Sequence, residues 1–347
     1  MDIRDLFQIA LPIIQAPMAG SQNHQLAAAV SGAGGLGSIP AGILNAETLD
    51  VELTAMAALT AKPYNLNFFC HKPPAQDAAR NQAWLMLLAP YLEEHGIDPA
   101  SIPTGATRKP FDTAMAEVLE RHRPAVVSFH FGLPDPQLLQ RVRATGASIL
   151  SSATTLEEGR WLQAQGVDAV IAQGLEAGGH RGMFLNDDID GQVGTFALLP
   201  QLVGALDIPV IAAGGIADAS GVAAAKALGA AGVQVGTAYL LCDESRASPL
   251  HRQALQSPAA EHTLLTTLFS GRPARGIVNR LMRELGPRPA EVPAFPLAGN
   301  AIASLRSSAE PERINHFSPL WAGQNVSGCQ AIPAAQLTQA LAIGWQG

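Results

Sequence analysis

The sequence predicts an α/β fold: a closed TIM-type (β/α)8 barrel with a helical insertion after strand three and a helical substrate or lid region after strand eight. Three observations predict it. Short apolar runs alternate with helix-patterned segments at a spacing of about 20 to 40 residues, the cadence of βα units. Eight such runs can be counted without forcing, which favours a closed barrel over an open sheet. The stretch Pro209 to Leu240 then reads as strand, loop, helix, strand, loop, with Gly214-Gly215 after one strand and Gly236-Thr237 after the next. A parallel βαβ unit puts both strand ends on one edge of the sheet, and in such barrels the loops after strands seven and eight form a phosphate site.

A chain of 347 residues with 48% hydrophobic and 15% charged residues suits an α/β enzyme with heavily buried strands. Its net charge of −7 argues against nucleic acid or an anionic membrane surface as a standing partner. Cys70, Cys242 and Cys329 are far apart and form no CxxC pair, so neither a disulfide framework nor a metal site is expected. No apolar run reaches the ~18 residues that span a bilayer, and the N-terminus lacks a charged leader with a cleavage site. A cytoplasmic protein is the expectation, with homodimerisation left open.

Each element has a local reason. Leu11 to Met18 is strand one, and Pro17 takes the chain out of the ladder. His24 to Val30 reads as a helix, Ala33 to Ile39 as a glycine-laden second strand, and Ala46 to Thr60 as a helix capped by Asn45. In strand three, Tyr64 to Phe69, Asn65 and Asn67 alternate with apolar residues and share one face, here taken as the barrel interior. Residues 70–122, with six prolines and helical patches at Ala78 to Glu94 and Phe111 to His122, are too long for a simple connection and read as the insertion. Strand four is Ala125 to His130, strand five Ser148 to Ser152 and strand six Ala169 to Ala172, separated by helices Pro136 to Thr145 and Leu156 to Gln165. A helix near Thr195 to Leu206 precedes strands seven and eight. Residues 1–69 and 123–241 thus form the barrel, 242–330 a helical, irregular lid region, and 331–347 a closing helix that packs on the barrel.

The polar and glycine-rich features fall just after strands, on the rim where barrel enzymes place their sites. No GxGxxG follows the first strand, and GxxxxGK[ST] and HExxH are both absent. The glycine loops suit one phosphate, as in a flavin mononucleotide, and Asn67 and Gln173 could hydrogen-bond a planar polar ring. His130, in SFHFG at the end of strand four, is the candidate base or anion-binding group, set against a core histidine bonded to a carbonyl. His180 in the glycine-rich loop is the rival and His24 a weaker one. Arg272, Arg275, Arg280 and Arg283 could pair a substrate carboxylate, or simply form a solvated face. Trp321 could cover the site, or pack.

These motifs resemble the nitronate monooxygenase family, formerly called 2-nitropropane dioxygenases. The matching pieces are QAPMAG at 15–20, NLNFF with Asn67, SFHFG at 128–132, QGLEAGGHRG at 173–182, PVIAAGGIAD at 209–218 and GVQVGTAYL at 232–240. The HFG after strand four looks like the first class of these enzymes, whereas relatives in the superfamily use the loop histidine. The resemblance implies FMN held by Asn67, Gln173, Gly178, Gly179, Gly214, Gly215, Gln234, Val235, Gly236 and Thr237, with Pro17 and Met18 near the flavin ring and His130 as catalytic residue. It implies oxidation of an alkyl nitronate, such as propionate 3-nitronate, by O2 to a carbonyl compound and nitrite. Two other readings stay open: an NAD(P)H-dependent flavin reductase acting on a quinone or enoyl thioester through His180, and a non-catalytic flavin-binding scaffold.

Overall fold

The computed structural model describes residues 2–75, 77–106 and 108–346. Eight parallel strands form the barrel: β1 (Ile13–Gln15), β2 (Gly37–Pro40), β3 (Tyr64–Phe69), β4 (Val126–His130), β5 (Ser148–Ala153), β6 (Ala169–Gln173), β8 (Val210–Ala213) and β9 (Gly232–Val235). They are hydrogen-bonded in the order β1-β9-β8-β6-β5-β4-β3-β2, and a bridge between Ile14 and Leu36 completes the ring. A further strand, β7 (Gly179–His180), lies outside it.

The helices are α1 (Ile3–Phe7), α2 (His24–Gly32), α3 (Ala46–Leu59), α4 (Ala78–Glu94), α5 (Thr113–His122), α6 (Pro136–Ala144), α7 (Leu156–Ala164), α8 (Thr195–Ala205) and α9 (Ala219–Ala227). Short polar residues start most of them. Asn23, Asn45, Asp77, Asp112, Asp135, Thr155 and Asp218 each accept a first-turn amide of the helix they precede, which satisfies a donor that has no intrahelical partner. The exception is α8, whose N-cap Gly194 offers no side chain.

Two apolar layers hold the barrel. Ile14, Leu36, Val126, Leu150, Ile171 and Ile211 fill its N-terminal end, together with Ile3 and Phe7 from α1. Gly232 belongs to this plug, because a Cβ there would lie 2.2 Å from Ile3 Cδ1. The alternate residues, such as Val127, Phe129, Val170, Ala212 and Val233, face the helices. The period-2 alternation thus sends one residue inward and the next into the helix layer.

Three elements differ from the sequence reading. The second strand begins at Gly37 rather than Ala33, because the chain is still turning at Gly34, where φ is +95°. Within 70–122, α5 packs between α3 and α6 in the barrel's helix ring, while α4 joins a separate apolar cluster in which Trp84, Leu88 and Leu92 meet Leu281, Ile302 and Phe317. Helical amphipathicity alone carries no information about which neighbour a helix will cover. The expected helical lid contains, besides α10 (Pro249–Leu255), α11 (Arg280–Leu285) and α12 (Gly299–Ala309), two antiparallel strands, β10 (Thr263–Thr266) and β11 (Ala274–Ile277). β11 pairs with β7, placing Ala274 opposite His180. The chain ends in α13 (Ala334–Gln346), which packs on α9 and α2. Among the described residues, no helix is long and apolar enough to cross a membrane.

Candidate active site

The C-terminal ends of the strands open into one cleft that encloses about 1300 Å³ counting its mouth. Pro17, Met18, Asn67, His130, Gln173, Gly178, Gly179, Gly214, Gly215, Gln234, Gly236 and Thr237 all line it. Val235 does not. Its side chain is 1% exposed in the helix-facing layer, as strand alternation requires once Gln234 faces inward, so no side-chain contact to a ligand comes from it. His24 pairs with Glu52 at 3.0 Å between α2 and α3 and takes no part in the cleft.

One wall is built from backbone. Gly214 and Gly215 have φ of +115° and +74°, conformations that glycine adopts without strain. The amides of Gly215, Ile216, Gly236 and Thr237 donate to no protein acceptor among the described residues. Such a set of free amides is an anion cradle. The facing loop after β6 is tightly fixed. Arg181, fully buried, donates to the carbonyls of Gln173 and Gly174 at 2.7 and 2.6 Å and to Gln192 Oε1 at 2.7 Å. Glu176 supplies the cap that α8 lacks, accepting from the Thr195 amide at 2.7 Å and its hydroxyl at 2.9 Å.

Side-chain amides line the middle of the cleft. Asn67 donates to Ser128 Oγ at 2.9 Å. Gln173 is engaged at both ends, accepting from the Gly182 amide at 2.7 Å and donating to the His180 carbonyl at 2.9 Å. Gln234 Oε1 is buried with no hydrogen-bond partner. Gln22 accepts from Gln15 and from the Met18 amide, at 2.6 and 3.0 Å, which fixes the turn that presents Pro17 and Met18.

His130 sits at the end of β4 with both ring nitrogens engaged. Nε2 lies 3.1 Å from the His180 carbonyl oxygen, and Nδ1 lies 3.1 Å from Ser152 Oγ. A carbonyl only accepts, so in the neutral ring the proton belongs on Nε2 and Ser152 donates to Nδ1. Burial is the main cause that pushes this imidazole down to about 4, helped by Arg272 and Arg181 and opposed by the His180 carbonyl. The ring is therefore neutral at pH 7. His180 also lines the cleft, with Nε2 2.9 Å from Ser270 Oγ and its ring 5.5 Å from that of Trp321, which covers this side. Burial, then the charges of Arg108, His130, Arg272 and His71, hold His180 well below its ordinary value.

The four arginines of the lid do not act together. Arg275 donates to the Leu175 carbonyl at 2.9 Å, Arg280 pairs with Glu94 and Glu284, and the Arg283 guanidinium donates to the Val278 carbonyl. Arg272 stacks 4.2 Å over Phe131 and donates to the Met183 carbonyl. None of the four lines the cleft. The arginine that does is Arg108, from the insertion, joined by Phe69, Ser128 and Ser152. Sequence reading missed Arg108 because an isolated basic residue in a proline-rich segment carries no periodicity, whereas the two serines lie at inward positions of strands already recognised.

Comparison with known proteins agrees with this geometry. The family model described as nitronate monooxygenase matches residues 2–344. A nitronate monooxygenase from Paraburkholderia phytofirmans is 44% identical over 97% of this chain and 92% of its own length, and one from Pseudomonas aeruginosa is 43% identical over 97% and 96%. The solved structure of a nitroalkane oxidase from Streptomyces ansochromogenes superposes with a TM-score of 0.89 at 39% identity, covering 99% of this chain and 97% of that one. A barrel with its cleft at the strand ends, matched by whole-chain likeness at this level, identifies the chain as an oxidoreductase belonging to the nitronate monooxygenase family.

Proposed function

We propose that the chain oxidises alkyl nitronates, such as propionate 3-nitronate, with O2 to a carbonyl compound and nitrite, using FMN. The observation that carries this reading is the cleft's division into an amide cradle, an amide-lined middle with an unpartnered Gln234 Oε1, and a neutral imidazole, with no carboxylate among its lining residues. Those residues fit the cofactor. The amides of Gly215, Ile216, Gly236 and Thr237 would hold its phosphate, and Gly178, Gly179 and Gly214 would let the backbone approach closely. Asn67, Gln173 and Gln234 would hydrogen-bond the polar edges of its ring, with Pro17 and Met18 packed nearby. When bound, FMN supplies the electron acceptor that no side chain here provides.

His130 then acts on the substrate anion. A nitronate is already deprotonated and needs a donor more than a base. The Nε2 proton, shared with a carbonyl at 3.1 Å, is available to a charged oxygen, which accepts more strongly than a neutral one. Taking a proton from a neutral nitroalkane would instead require Ser152 to release Nδ1, so the arrangement favours the ionised substrate. An acid-free lining also spares the anion repulsion in a low-dielectric cleft.

Mass spectrometry of the released cofactor together with a nitrite assay tests the reading: FMN is expected, with nitrite formed from an alkyl nitronate in air. His130→Asn should keep the cofactor and lose about 10²-fold or more in nitrite release. Because His180 also lines the cleft, NAD(P)H-dependent flavin reduction is the competing function. Rapid bleaching of the flavin by NADH under anaerobic conditions would replace the proposed reading with that one, and a flavin-loaded chain without turnover of either kind would be a scaffold.

A further inference from the structure

Each amide of the anion cradle belongs to a planar peptide unit whose carbonyl points the opposite way, so whatever holds that carbonyl from behind decides where the N–H aims. The Val235 carbonyl, in the plane of the Gly236 amide, accepts from the Ala16 amide at 2.8 Å. The Gly236 carbonyl, in the plane of the Thr237 amide, accepts from the Tyr239 amide at 2.9 Å. Both of these anchors are backbone. The Gly214 carbonyl, in the plane of the Gly215 amide, lies 2.9 Å from Thr195 Oγ1, whose single proton also serves the Glu176 carboxylate.

The fourth plane, between Gly215 and Ile216, is held by a side chain from the lid region. Asn325 Nδ2 donates to the Gly215 carbonyl at 3.1 Å. The other end of that side-chain amide fixes its orientation, because Oδ1 accepts from the Ser327 amide at 3.1 Å and from the Ser327 hydroxyl at 2.7 Å. The segment is itself fastened to the rim. The Gly323 amide donates to Thr237 Oγ1 at 2.9 Å, and the Gln324 amide donates to the Glu176 carbonyl at 3.0 Å. Gly323 and Asn325 both line the cleft beside Gly215 and Ile216.

We infer that Asn325 is a positioning residue of the cofactor's phosphate site: by holding the Gly215 carbonyl it keeps the Ile216 amide aimed into the cradle. The inference rests on the cofactor in the function proposed above and adds a residue, from outside the barrel strands and their loops, that pre-organises its site. Gly215 has φ of +74° and no side chain, so rotating the plane that follows it meets little steric resistance. A rotated plane would turn a carbonyl oxygen toward the phosphate in place of an N–H, exchanging an attraction for a repulsion. Asn325 has both ends of its amide engaged with protein, so it acts through the Ile216 amide and not as a direct ligand.

The test titrates the full-length chain, stripped of flavin, with FMN and with riboflavin, which lacks the phosphate, by flavin fluorescence. Wild type should hold FMN more tightly than riboflavin. Asn325→Ala removes one hydrogen bond behind the cradle, so its Kd for FMN should rise about fivefold while that for riboflavin stays within about twofold. Asn325→Asp keeps the acceptor for Ser327 and loses the donor to Gly215, and its added charge should carry the FMN Kd to about tenfold or more above wild type. Asn325 is exposed, so both variants should melt like wild type. Equal losses of FMN and riboflavin would make Asn325 merely structural, and an unchanged Kd for FMN in both variants would remove it from the site; either overturns the inference. A wild type that binds riboflavin as tightly as FMN, or binds neither, overturns it as well. These titrations need no turnover, so a chain that binds FMN as expected but releases no nitrite from an alkyl nitronate defeats the proposed activity and leaves the role of Asn325 standing.

Discussion

Gly182→Ala places one methyl group against the imidazole at 130. A Cβ on Gly182 would lie 2.9 Å from His130 Cε1, 2.9 Å from Ser152 Cβ and 3.3 Å from His130 Nδ1. Ordinary carbon contacts are about 3.5–4.0 Å, so the ring and the serine must retreat by roughly 0.5–1 Å. Gly182 has no positive φ, so the effect is steric and involves no backbone strain. The hydrogen bonds at risk are those of His130 to Ser152 and to the His180 carbonyl, each 3.1 Å long, and a retreat of that size takes either beyond effective range. Losing both, at about 1 kcal/mol each, together with overpacking of about 1–3 kcal/mol, predicts a loss of roughly 3–5 kcal/mol in stability. Because a misplacement near 1 Å at a reacting centre can cost about 10²-fold, kcat should fall by about 10- to 100-fold. Nitrite release at saturating nitronate, with a thermal melt alongside, measures both. Gly32→Ala is the control, since its Cβ would meet nothing within 4 Å and its φ is ordinary. A Gly182→Ala enzyme with wild-type kcat would refute the argument that catalysis depends on how the His130 ring is held.

Two further outcomes follow from the same structure. Glu176→Ala removes the cap of α8 and frees the loop at 174–179, which should cost about 1 kcal/mol in stability and weaken FMN retention on dilution; unchanged retention would mean that Glu176 supports only the helix. His71, His130 and His251 are pushed by burial from 6.5 to about 4, so unfolded imidazoles take up protons below pH 6.5 that the folded ones refuse until near pH 4. Stability should accordingly hold above pH 6.5 and decline through that window, by at most roughly 3 kcal/mol per imidazole once pH 4 is reached. Melts at pH 7.5 and 5.0 check the sign, and His130→Asn should show a shallower decline; a melting point that is flat or rises on acidification contradicts the buried neutral state.

Much of the site was legible because its determinants are local. Pro17 ends a strand, Gln173, Gly214-Gly215 and Gly236-Thr237 follow strands, and Asn67 occupies an inward position of a period-2 run; each of these signals acts over a few residues, whereas Gln234 was reached only through the motif shared with the family. Val235 shows the limit of carrying motif residues over one by one: the motif includes it, but the alternation that aims Gln234 at the cleft aims Val235 at the helices.

The amino-acid sequence by itself determined the βα order, the eight strands, the Asn45 cap of α3, and the placement of glycines and of His130 on one rim. Only the tertiary structure decided what that rim contains. The proton position on His130 depends on a carbonyl 50 residues away, and β7 finds its partner in β11 across more than 80 residues of chain. Arg108 enters the cleft while the arginines of the lid disperse to carbonyls and carboxylates elsewhere. Backbone preference and side-chain periodicity act over one or two turns, whereas the partner of a buried polar group is set by which distant surfaces pack together, and no local pattern encodes that.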